Sequence, residues 1–174
     1  MASDPEKCDF LAEHLLYELL MLRFAHAQIL KPQGQLTWNA LYESFAVHAR
    51  ILFDFLTNDA HSENMQASDY NSAFEAKDPG AVRGVKNSLN PHVLHLAKIR
   101  KEADRKPHID RLKKLYVWLD ENLIRFGHEL PQNFSKHWHP ERANPVIGYY
   151  GSSPQEVITQ SNLPGQIIGV HVST

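Results

Sequence analysis

The residues of this chain whose types and spacing could do chemistry are a charged stripe on one helix and a cluster of histidines further on. Arg50 and Asp54 stand four apart, one helical turn, so the carboxylate can orient the guanidinium as an i,i+4 ion pair. His92 and His95 stand three apart and share a helix face, and His48 could add a third imidazole. Three converging imidazoles would make the metal site of a metal-dependent helical-bundle enzyme, with His48, His92 and His95 as ligands. The bland alternative is that Arg50, Asp54, Asn90 and His95 form a buried hydrogen-bonded network, because a buried charge must be paired and a buried amide satisfied. That structural reading is the preferred one. His48, on an apolar line, reads as a satisfied core or interface histidine.

The elements that must position these groups follow from hydrophobic periodicity. Between Thr37 and Asn58, at about 100° per residue, Leu41, Phe45, His48, Leu52 and Phe55 fall on one line. Trp38, Ala49 and Leu56 flank it on one side, Ser44 and Ile51 on the other, and Glu43, Arg50 and Asp54 lie opposite with Asn39 and Thr57. A helix apolar on so many sides is central to its domain, and its charged stripe is either a thin window to water or a buried polar network. A first helix should open with Asp4 as N-cap and Pro5 at the first helical position, and run to about Leu30. Thr37 should cap the second. Asp59 to Ser88 reads as loop and short helical turns, with a turn at Asp78-Pro79-Gly80. Asn90-Pro91 should start a third helix to about Glu102, with a kinked helix beginning near Val82 as the alternative. The last helix should begin near Pro107, carry Leu112, Leu115, Leu119, Leu123 and Phe126, and end between Gly127 and Pro131.

The expected fold is therefore all-α, a four-helix bundle over residues 1–130, with an irregular or short-stranded C-terminal arm over 131–174. The arm holds five of the ten prolines, and 145–150 and 166–172 read as short strands that need partners.

With 174 residues, 43% hydrophobic and 22% charged, the chain suits one domain with a real core. A net charge of -2 gives no global reason to expect nucleic acid. Locally, Lys98 to Lys114 carries eight Lys or Arg against three Asp or Glu. That segment reads as a solvated helix hairpin, with RNA-backbone contact as the functional alternative. One cysteine, Cys8, and no leader pattern point to a cytoplasmic protein, and no apolar run reaches membrane length. The expected cofactors are none. Paired Glu-x-x-His motifs, a Gly-rich phosphate loop, a Cys-x-x-Cys pair and a serine elbow are all missing. His137 and His139 in the HWHP segment would make only a weak two-ligand site.

Two segments together resemble a group of small, mostly uncharacterised bacterial helical proteins related to the HEPN superfamily. They are His48-Ala49-Arg50-Ile51-Leu52-Phe53-Asp54-Phe55 and Asn90-Pro91-His92-Val93-Leu94-His95-Leu96. The likeness spans roughly residues 10 to 130. It implies a homodimeric helical bundle and, among active HEPN members, ribonuclease chemistry across the two-fold interface. The superfamily's catalytic arginine would stand immediately before Asn90, where this chain has Leu89. The resemblance thus implies a binding or interaction module, with a divergent metal-independent ribonuclease as the alternative. In that alternative His95 would move the 2′-hydroxyl proton and Arg50, oriented by Asp54, would replace the missing arginine beside Asn90.

Overall fold

The computed structural model describes residues 3–59, 63–93 and 109–145, with side chains for all of these except 90–93. The described chain is all-α. A helical rod is built from α1 (Asp4–Asp9), a π-helical segment (Phe10–Leu15) and α2 (Leu16–Ile29). It is followed by α3 (Gln35–Thr57), α4 (Gly80–Val93), α5 (Ile109–Glu129) and the short α6 (Gln132–Ser135). No helix among the described residues is long and apolar enough to cross a membrane.

The helix starts differ from those expected. Ser3, not Asp4, is the first N-cap, and the Glu6 carboxylate accepts hydrogen bonds from the Ser3 N–H at 2.7 Å and its hydroxyl at 2.9 Å. Gly34 precedes α3, so Thr37 lies inside the helix rather than capping it. Asp78-Pro79-Gly80 is a turn that feeds directly into α4: Asp78 has a positive φ of 50°, and the Arg83 N–H donates to the Pro79 carbonyl at 3.0 Å. Asn90-Pro91 therefore lies within α4 and does not start it, in keeping with the alternative that placed the start near Val82.

Helix α3 is the axis of the core, with Phe45, Ala49, Leu52, Phe53 and Leu56 essentially inaccessible. The α1–α2 rod covers it with Leu11, Leu15, Leu19 and Leu22, and α5 with Leu115, Leu119, Leu123 and Phe126. Helix α4 adds Val82 and Leu89. The connection between α3 and α4 is stitched down by polar contacts. Asn58 closes α3 in the left-handed conformation and its Oδ1 accepts from the Ser68 N–H at 3.2 Å. Trp118 Nε1 donates to the Lys77 carbonyl at 2.7 Å, the Lys77 N–H to Asn122 Oδ1 at 2.8 Å, and Asn71 Nδ2 to the Glu129 carbonyl at 3.0 Å.

From Pro131 to Pro145 the chain stays on the helices. Phe134, Trp138 and Ala143 are buried, and a Cβ at Gly127 would meet Trp138 at 2.6 Å, so only glycine allows this indole to seat against α5. Both segments expected to be strands lie outside the described residues, apart from Pro145 itself.

His26 on α2 lies flat on Tyr116 of α5, ring centroids 3.8 Å apart and planes 5° apart. Burial, and secondarily the nearby Lys113, lowers its pKa below the usual histidine value. The unfolded chain therefore binds a proton here more readily than the folded one. Stability is full above the ordinary value near 6.5 and falls as acid passes through it toward the lowered folded value. Urea midpoints at neutral pH and about one unit below the ordinary histidine value should fall less for His26→Phe, which keeps the stack, than for wild type. The remaining histidines are common to both proteins and cancel in the comparison.

Candidate functional site

Arg50 and Asp54 do not sit in a sealed core. They line a cleft of about 430 Å³ together with Phe10, Leu15, Glu18, Ile51, Phe55, Asp59, Asn64 and Met65. The lining residues come from the rod, from α3 and from the start of the α3–α4 connection. The rod wall includes the π-helical segment, whose wider turn places Phe10 over Phe55 with ring centroids 6.1 Å apart. Such π segments are rare and recur at functional sites.

The Arg50–Asp54 pair expected from spacing is present but loose, with Nε 3.5 Å from Oδ2. Asp54 is held more closely by Lys86 of α4, whose Nζ lies 2.7 Å from Oδ1. Lys86 also lies 5.1 Å from the centre of the Phe53 ring, and Arg83 lies 5.4 Å from it on the way to an ion pair with Asp59 at 2.5 Å. These contacts dock α4 on α3 through charge and ring face together. Glu18 takes a different partner: its Oε2 lies 2.6 Å from Nδ1 of His48. His48 is buried at 8% exposure, and Tyr17 meets its ring edge-on at 5.8 Å.

Most of the other expected residues lie outside the described residues. Leu89, the residue before Asn90 where the resemblance would expect an arginine, is buried at 1% exposure in the core. The side chain of Asn90 and the whole of His95 lie outside the described residues, so the expected joining of Arg50, Asp54, Asn90 and His95 is not on view. The same holds for His92 in the metal set with His48 and His95, and among the described residues no three His, Cys, Asp or Glu side chains converge on a metal position. His139 is turned locally, Nε2 at 3.0 Å from the Lys136 carbonyl and Nδ1 at 3.2 Å from Glu141. Of the basic stretch Lys98 to Lys114, residues 98–108 lie outside the described set, and Arg111, Lys113 and Lys114 are exposed.

Glu18, Asp59, Met65 and Lys86 were missed by sequence reasoning. A signal existed for two of them. Val82, Val85, Lys86 and Leu89 have the spacing of one inward helix face, and a lysine on it needs a carboxylate. Glu18 is likewise a lone carboxylate within Leu15 to Leu20. Compared with protein-family models, curated proteins and solved structures, the chain matches none.

Proposed function

We propose that this chain is a HEPN-like, four-helix binding module that works as a homodimer and does not cut RNA. One observation carries the reading: Arg50 and Asp54, the polar pair of the resembling helix, line an open cleft with an apolar floor instead of closing on each other in the core. Pockets of a few hundred cubic ångströms, mostly apolar with a few convergent polar groups, are the usual form of a small-ligand site. Leu89 buried in the core counts against the ribonuclease alternative, since the crowded phosphate would lack its expected cation. Tyr17 and Phe24, seven apart on α2 and each more than a third exposed, offer a second copy an apolar stripe.

The test is chemical-shift mapping on labelled protein with small aliphatic amines, carboxylates and amino acids, beside a single-stranded oligoribonucleotide. At least one small class should move the signals of Glu18, Arg50, Ile51 and Met65. The oligoribonucleotide should stay intact with wild type and Arg50→Ala alike. If no compound moves the cleft signals of folded protein, or if wild type cuts RNA and Arg50→Ala does not, the proposal is wrong.

A further inference from the structure

Resting on that reading of the cleft, we infer that its ligand is a zwitterion of amino-acid size: an ammonium for Glu18, a carboxylate for Arg50 and an apolar side chain for the floor. The charges around the cleft sort into closed and open ones. Asp54 is closed by Lys86 at 2.7 Å and Asp59 by Arg83 at 2.5 Å, each a fixed cation from α4. Removing those two pairs leaves one carboxylate and one guanidinium lining the cavity.

Both remaining groups have bonding capacity to spare. Glu18 spends Oε2 on His48, which fixes its direction, and among the described residues this carboxylate makes no other hydrogen bond or ion pair. Arg50 spends only Nε, on a 3.5 Å contact to Asp54 that is an ion pair and not a hydrogen bond. Its two terminal nitrogens have no partner among the described residues, and a guanidinium presents them as a fork that fits a carboxylate with two parallel bonds.

The alternatives of single charge fit less well. A bare anion on Arg50 would enter a cleft lined by Glu18, Asp54 and Asp59. A bare cation on Glu18 would share the cleft with Arg50. A zwitterion answers both groups, and Phe10, Leu15, Ile51, Phe55 and Met65 give its side chain an apolar seat. Sites built to bond two ligand groups reject analogues that lack either one, because a partly buried partner is then left unsatisfied.

The experiment is calorimetric and NMR titration of the whole chain with L-leucine, leucinamide and 4-methylpentanoate, up to about 10 mM of each. Leucine should bind, with shifts at Glu18, Arg50 and Ile51. Leucinamide, which lacks the carboxylate, and 4-methylpentanoate, which lacks the ammonium, should each bind at least ~10-fold more weakly. Glu18→Gln, which keeps a hydrogen bond to His48, and Arg50→Gln should each weaken leucine by a similar factor; the analogue series reads the same chemistry on unaltered protein. If either analogue binds as well as leucine, the zwitterion inference falls and the cleft reading stands. If leucine does not bind while another small compound moves the cleft signals, the inference again falls alone. Silence from every compound overturns both.

Discussion

Replacing Phe126 by alanine is expected to cost about 4 kcal/mol of folding stability, the range for a large aromatic deleted from a core that cannot collapse around the hole. Phe126 is fully inaccessible. It meets Phe55 at 5.2 Å, Phe74 at 5.4 Å, Tyr70 at 5.9 Å and Trp138 at 6.4 Å between ring centroids, with interplanar angles of 71° to 87°. Edge-to-face pairs of this kind add to the burial of the rings themselves. Those partners come from α3, from the α3–α4 connection and from the chain after α6, so one side chain on α5 holds three otherwise separate pieces. Urea unfolding followed by tryptophan fluorescence measures the loss. Phe126→Leu, which fills most of the volume, should lose much less than alanine. A loss below about 1.5 kcal/mol for the alanine variant would mean that the aromatic cluster repacks, contrary to its described geometry.

The long helices were legible because each repeats its apolar residues at 3.6-residue spacing over many turns, as α3 and α5 do for 23 and 21 residues. Their starts were less so. Thr37 and Asn90 are good N-cap types in good positions, yet Gly34 and the Asp78–Gly80 turn begin the helices, because tertiary packing extends a helix beyond its best local cap. The π-helical segment has no signature of its own in composition. At the site, the local pair was readable and the distant ones were not. Arg50 and Asp54 face the same way by helical spacing alone. Glu18 with His48, Lys86 with Asp54 and Arg83 with Asp59 each join residues 24 to 32 positions apart, and no sequence rule fixes which lysine meets which aspartate. This matters for function, since the loose Arg50–Asp54 contact follows from Asp54 already having a closer cation.

Arg23 separates structure from function among the arginines. Its Nε and Nη2 donate to Oδ1 of Asp120 at 3.0 and 2.7 Å, and Nη1 donates to the carbonyls of Pro140 and Ala143 at 2.6 and 3.0 Å. The two side chains are only 19% and 26% exposed. A single guanidinium thereby ties α2 to α5 and pins the turn after α6. Arg23→Met keeps the apolar stem and removes the charge, leaving Asp120 and two carbonyls without their donor. The expected loss is about 3 kcal/mol, set by a partly buried carboxylate stranded without its cation. Asp120→Asn leaves both carbonyl bonds in place and should lose about 1 kcal/mol. Arg50→Gln removes only a long, half-exposed ion pair and should stay within about 1 kcal/mol of wild type. Urea midpoints for the three variants give the ranking directly. An Arg23→Met protein as stable as wild type would show that α5 and the turn after α6 dock by apolar contact alone, and a large loss for Arg50→Gln would move that arginine from the ligand to the fold.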